Sequence, residues 1–119
     1  VVVGPGDVLT TAHNRLRNAG FSQLPVMDGD KLVGVLTEDD IIRHAFGLPD
    51  LMSAPVSDAM ETSPVKVNKD LPVNHLVSIL HAQPFAAVMD GDKFLGLITR
   101  SDVLNYLRKQ VKAPSTRNS

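Results

Sequence analysis

The sequence predicts an α+β protein made of two copies of one β-α-β-β-α unit, and two observations carry that prediction. The stretch Met27-Asp28-Gly29-Asp30-Lys31-Leu32-Val33-Gly34-Val35-Leu36-Thr37 returns 62 positions later as Met89-Asp90-Gly91-Asp92-Lys93-Phe94-Leu95-Gly96-Leu97-Ile98-Thr99. Over the 19 aligned pairs from Met27/Met89 to Ala45/Leu107, eight are identical, where unrelated sequence gives about one. In each copy two apolar runs flank an Asp-Gly pair, the signal of a tight hairpin turn that needs positive φ. The second run then leads straight into Thr-x-x-Asp and apolar residues at helical spacing.

Taken in order, Val1 to Val3 read as a strand of β-branched residues, and Gly4-Pro5-Gly6 must turn. Asp7 is the expected N-cap of a helix with Val8, Ala12, Leu16 and Ala19 on one face and Asn14, Arg15, Arg17 and Asn18 on the other, closed by Gly20. Phe21-Ser22-Gln23 connects it to the hairpin of Leu24–Met27 and Leu32–Leu36. From Asp40, residues Ile41, Ile42, Ala45 and Phe46 mark a second helix, and the first copy occupies residues 1–47. Residues 48–55, with Pro49, Ser53 and Pro55, form a linker too short and too apolar to be a disordered tether.

The second copy occupies residues 56–112. Val56 to Met60 form a helical turn, Val65-Lys66-Val67 the counterpart of the first strand, and Asn68 or Asp70 the cap of a helix whose apolar face is Val73, Leu76, Val77 and Leu80. Pro84-Phe85 connects to the second hairpin, two residues shorter than its counterpart, and Val103, Leu104 and Leu107 mark the last helix. Residues 113–119 are a polar, Pro-interrupted tail expected to be disordered. A counterpart of the turn at Ser57 to Met60 is missing ahead of Val1, and there is no initiator methionine, so the chain reads as a fragment.

Composition narrows the function classes. The 119 residues suit one module in which two repeats share a core, since a copy of half that length is small to fold alone. A formal net charge of −1 with 21% charged residues offers no basic face for nucleic acid. The absence of cysteine excludes disulfides, thiolate metal sites and thiol catalysis. No apolar run is long enough to cross a membrane, and the expected location is cytoplasmic.

Asp28-Gly29-Asp30 and Asp90-Gly91-Asp92 lack the later acids and distal Glu of a calcium loop, so they read as turns. His13, His44, His75 and His81 have no paired-ligand spacing, and no nucleophile has a base at fixed spacing, so neither a metal nor a catalytic residue is expected. Thr37/Asp40 and Thr99/Asp102 have an ordinary explanation as capping boxes. The same geometry also offers helix N–H groups to an anion and a carboxylate to a ribose diol. A cap alone does not require the whole hydrophobic-hydrophobic-Thr-x-x-Asp string to recur.

At those residues the chain resembles a known family. The element order, Leu24-Pro25-Val26, Gly34-Val35-Leu36-Thr37-Glu38-Asp39-Asp40 and Gly96-Leu97-Ile98-Thr99-Arg100-Ser101-Asp102 are similar to a pair of CBS domains, a pseudo-two-fold Bateman module, over Val1 to about Val111. Gly20 to Val26 and the ending Asp102 to Leu107 look like the regulatory region of a cystathionine β-synthase.

The resemblance implies regulation by an adenosyl compound such as AMP, ATP or S-adenosylmethionine, bound between repeats. A principal cleft would hold Thr99, Arg100 and Asp102 with Val2, Phe21, Ser22, Gln23 and Leu24. A second would hold Thr37 and Asp40 with Val65, Phe85, Ala86 and Ala87. The sequence makes them unequal: Glu38 and Asp39 add negative charge beside Thr37, whereas Arg100 reverses the sign beside Thr99. An attached pyridoxal-phosphate (PLP) enzyme would carry the chemistry. The module is expected to form a homodimer through the helices after each Thr-x-x-Asp, with Ile41 or Ile42, Phe46, Leu104 and Leu107, and the rival expectation is a purely structural dimerisation module with no ligand.

Overall fold

The computed structural model describes residues 1–45 and 53–115. Its elements are α1 (Leu9–Ala19), β1 (Gln23–Asp28), β2 (Lys31–Thr37), α2 (Glu38–Ala45), a 3-10 turn at Val56–Asp58, β3 (Lys66–Asn68), α3 (Val73–Ala82), β4 (Phe85–Asp90), β5 (Lys93–Thr99) and α4 (Arg100–Ser115). β1 and β2 form one sheet, and β3, β4 and β5, in that order, another. The chain groups into two compact units, Val1–Pro64 with Asp92–Phe94, and Val65–Gly91 with Leu95–Ser119.

The first unit starts with less strand than the β-branched residues predict. Val3 alone makes a parallel rung with Val26, its N–H donating to Pro25 O (3.2 Å) and its C=O accepting from Met27 N–H (2.8 Å). The Gly4-Pro5-Gly6 turn leads the chain away after that one rung. Asp7 is not the N-cap of α1, a position held by Val8 with no side-chain cap. Its carboxylate instead accepts the Gly4 N–H at 2.8 Å, closing the turn, and lies 3.5 Å from Arg15.

The first α1 amide is satisfied from elsewhere, Leu9 N–H donating to Ala54 O at 2.9 Å. At the other end Gly20, with φ of 70°, closes the helix: Phe21 N–H donates to Leu16 O and Gly20 N–H to Arg17 O, the paired bonds that require a left-handed residue. β1 and β2 pair antiparallel from Gln23↔Thr37 to Asp28↔Lys31, with a bulge beside Met27. The two-residue loop has its positive φ at Gly29 (62°) and not at Asp30, the pattern of a type II′ turn.

Residues 54–61 complete this unit. Val56 N–H donates to Asp7 O (2.7 Å) and Ser57 N–H to Pro5 O (3.0 Å), and Val35 and Glu61 then exchange two bonds of 2.9 Å across the outer edge of β2. Val56 is fully buried among Leu9, Leu16, Leu24, Leu36 and Ile41, with Ala59 and Met60 packed behind it. Thus the opening residues of the second sequence copy fill the core of the first unit. Their approach also explains Gly34, where a Cβ would stand 2.7 Å from Met60 Sδ and 2.8 Å from Glu61 O.

In the second unit β3 pairs parallel with β4 from Lys66↔Ala87 to Asn68↔Met89. Neither Asn68 nor Asp70 caps α3: the Asn68 carboxamide accepts Asp70 N–H at 2.9 Å in a local turn, and the helix starts behind Pro72. The buried stripe of α3 also differs from the expected one. Leu80, with Leu76 and Ile79 beside it, packs on Val67, Ala86 and Val103, while Val73 and Val77 are exposed. Leu76, Ile79 and Leu80 form an equally periodic stripe and put the larger Ile79 against the core. Gly91 repeats the turn of Gly29 with φ of 60°. α4 extends to Ser115, beyond residue 113 where the sequence places its tail; Phe46, Gly47, most of the linker and residues 116–119 lie outside the described residues.

Gly34→Ala should therefore force Met60 and the Glu61 backbone away from β2, at an expected cost of about 1–3 kcal/mol. Urea titration of the variant against the parent checks this; unchanged stability would show that residues 60–61 do not hold that position.

Candidate functional site

Each Thr-x-x-Asp stands where a strand becomes a helix with no intervening loop, because Thr37 ends β2 as Glu38 starts α2 and Thr99 ends β5 as Arg100 starts α4. In the first unit Asp40 N–H donates to Thr37 Oγ1 and Thr37 N–H donates to Asp40 Oδ2, both at 3.0 Å. Asp40 is only 8% exposed, and its other oxygen takes a 2.6 Å bond from Arg43 Nη2. Arg43 also lies 3.3 Å from Asp39. Both oxygens of this carboxylate are thus engaged, and part of the acidic charge beside Thr37 is neutralised.

The second unit builds the same box differently. Thr99 N–H (2.9 Å) and Thr99 O–H (3.0 Å) both donate to Asp102 Oδ2, and Asp102 N–H reaches Thr99 Oγ1 at 3.3 Å. Asp102 is exposed, and among the described residues no protein group bonds to its Oδ1. The position equivalent to Arg43 is Asn105, whose side chain accepts from Arg108 instead. A carboxylate oxygen therefore faces solvent beside a helix N-terminus, able to accept hydrogen bonds from a diol.

Sequence reasoning missed Arg43. The signal was available, because Asp40 and Arg43 are three apart on a helix and so meet on its surface. Arg100 is anchored within its own unit: its Nε donates to Leu80 O at 2.6 Å and its Nη2 to His81 O at 3.4 Å. The guanidinium closes the C-terminal end of α3 with two of its five N–H donors, and the residue stays exposed.

Among the other predicted site residues of the first unit, Gln23 pairs with Thr37 and Glu38 N–H donates to Ser22 O at 3.2 Å, so Ser22 and Gln23 border their own Thr-x-x-Asp. Phe21 is 51% exposed and Val2 is exposed, the latter with its carbonyl accepting from Arg15. In the second unit Val65 and Ala87 are brought together by the bond from Ala87 N–H to Val65 O at 2.8 Å, and Phe85 is half-buried at the start of β4. Leu24, Ala86 and Ala87 are fully buried. Leu24 and Ala86 lie within the cores of their units, so packing leaves no side-chain surface there for a ligand, and only their backbone remains for that role.

These features accompany a clear family relationship. The family described as CBS domain matches residues 1–47 and again residues 56–109, and the chain belongs to it as a CBS pair, a regulatory module. Its relatives include an A-adding tRNA nucleotidyltransferase of Geobacter sulfurreducens, 28% identical over 83% of this chain and 11% of that protein. An inosine-5'-monophosphate dehydrogenase of Korarchaeum cryptofilum is 29% identical over 87% and 21%, and a cystathionine beta-synthase of Dictyostelium discoideum 26% over 92% and 23%. The chain thus spans a quarter or less of each of these enzymes. Among solved structures, CBSX2 in complex with AMP superposes with a TM-score of 0.81 at 25% identity, covering 92% of this chain and 88% of that one. A conserved protein of Geobacillus kaustophilus gives 0.82 at 28%, covering 92% and 88%. Among the described residues no helix is long and apolar enough to cross a membrane.

The two boxes should differ in structural weight. Asp40→Ala leaves the Thr37 amide and Arg43 without their partner and should cost about 1–3 kcal/mol, whereas Asp102→Ala should cost distinctly less because water replaces its exposed bonds. Chemical denaturation of both variants tests the order, and equal losses would contradict it.

Proposed function

We propose that this chain is a ligand-sensing regulatory module that binds an adenosyl compound, AMP, ATP or S-adenosylmethionine, chiefly at Thr99 and Asp102. The observation that carries the reading is the solvent-facing Oδ1 of Asp102 beside the start of α4. It is positioned for a ribose diol, with the helix N-terminus available to an anion. Asp40, buried and bonded to Arg43, has no such spare capacity. The exposed Val2, Phe21 and Ser22 and the half-buried Gln23 are the apolar and polar partners that the family resemblance carries over for the adenine. The likeness to a protein solved with AMP supports the ligand class. Regulation follows by linkage: a ligand that binds one arrangement better shifts the attached activity by that difference in affinity.

The attached enzyme is read as a PLP-dependent lyase of the cystathionine β-synthase type, supported by the relative that matches 92% of the chain. Nothing at the Thr-x-x-Asp sites calls for PLP, which would belong to that attached part. Comparable identity to a nucleotidyltransferase and a dehydrogenase weighs toward a module that serves unrelated catalytic domains. The working module is read as cytoplasmic.

Homodimerisation, part of the same reading, has its own observation. Val77, Leu80, Val103, Leu104 and Leu107 line an apolar groove between α3 and α4, where Leu104 is 65% exposed and Val77 41%. A second copy seated there would cover these residues with two-fold symmetry. On α2, Ile42 is exposed and Ile41 buried, so Ile42 is the residue that helix offers.

Calorimetry with the three ligands should give a tighter event that Asp102→Ala abolishes and Asp40→Ala leaves nearly intact; the reverse pattern overturns the assignment. A ligand held at 100 times its Kd should stabilise the fold by about 2.7 kcal/mol, and a panel with no thermal shift would favour the purely structural reading. Leu104→Glu or Leu107→Glu should give a folded monomer by light scattering. A dimeric variant, or a parent that is monomeric at high concentration, removes this interface.

A further inference from the structure

The two Thr-x-x-Asp boxes share a backbone frame and differ in what fills it. Each stands at a join of strand and helix, and in each the Thr N–H donates to Asp Oδ2 while the Asp N–H donates to Thr Oγ1. The difference lies three positions after the Asp, where α2 has Arg43 and α4 has Asn105. Arg43 Nη2 donates to Asp40 Oδ1 at 2.6 Å, and its Nε lies 3.3 Å from Asp39. In α4 the arginine comes one turn later, as Arg108, and donates to Asn105 Oδ1 at 3.1 Å rather than to Asp102.

The Arg43 pair is lopsided. The Asp40 side chain is 9% exposed and that of Arg43 69%, so a guanidinium lying mostly in water covers a carboxylate that barely reaches it. Pairing with Asp39, four residues back, would satisfy the helix on its own. The bond to Asp40 is additional, and it removes the acceptor that the other box keeps free. A ribose diol addressing Asp40 Oδ1 must first displace the guanidinium, and a bond between two charges is roughly twice as strong as the neutral-donor bonds a diol supplies in return. The exchange therefore runs against the ligand.

Resting on the adenosyl-ligand reading, we propose that Arg43 is a specificity-determining residue: it is a built-in occupant of the first box, and the side chain three positions after the Asp decides which repeat takes the ligand. With Arg43 replaced, the first box accepts the diol of an uncharged adenosyl compound in preference to a phosphorylated one, because Glu38 and Asp39 remain beside it in the first turn of α2.

The test follows the Thr37 and Thr99 backbone amides by NMR while adenosine and, separately, AMP are added to the 119-residue chain, since each amide bonds to the Asp of its own box. In the parent, Thr99 should shift to saturation and Thr37 should not. Arg43→Asn should make Thr37 respond to adenosine with an affinity at least about tenfold above the parent's, more strongly than to AMP, and Asp40→Ala added to it should remove that response. Asn105→Arg should weaken the Thr99 response about tenfold or more. If Arg43→Asn does not fold, Arg43→Gln takes its place. Thr37 unmoved after the arginine is replaced, Thr37 saturating in the parent as readily as Thr99, or Thr99 unaffected by Asn105→Arg each overturns the proposal. A Thr99 response without the gain at Thr37 leaves the adenosyl reading standing and removes the role of Arg43. A gain at Thr37 with no Thr99 response in the parent supports that role and removes the Thr99 and Asp102 assignment. Silence of both amides in every variant overturns both.

Discussion

The join between strand and helix is the constraint on which each unit depends. A helix that begins the moment a strand ends leaves its first amides unbonded and fixes the direction of both elements together. Thr and Asp three residues apart resolve this by each accepting the other's backbone N–H. With the join fixed, the hairpin before it and the helix after it can close on one core. The same residues stand at a surface where backbone donors and a carboxylate converge, so the groups that hold the fold are those that a ligand would address.

Two copies of one join carry different capacities. Arg43 consumes the free oxygen of Asp40, and the substitution of Asn at the equivalent position 105 leaves that of Asp102 open. A duplicated module can in this way retain both caps for stability while only one keeps its polar groups available. The charge contrast read from Glu38, Asp39 and Arg100 points the same way but rests on a different mechanism, since Arg100 is committed to the end of α3.

Much of this architecture was legible because it is local. Asp-Gly between apolar runs specifies a hairpin, Gly20 specifies a helix end, and recurrence of whole strings specifies a repeat. What failed to show was non-local. Asp7 has every property of an N-cap, yet the amide it would have satisfied is taken by Ala54, 45 residues after Leu9. Val73 and Val77 fit a helical stripe as well as Ile79 does, and only the packing partners decide between them. Arg100 reads as a free cation until the carbonyls of Leu80 and His81 are placed beside it.

The unit of sequence repetition and the unit of packing are offset. Val56 to Pro64 belong to the second copy by alignment and to the first by contact, with Val56 filling the core over Leu9 and Leu16. A gene fragment ending at residue 55 would encode α1, β1, β2 and α2 and still lack the plug of their core. Duplication of such a piece therefore hands each descendant a dependence on its neighbour, so that loss or recombination of one copy exposes the interior of another. The offset makes the pair, rather than the repeat, the smallest heritable part.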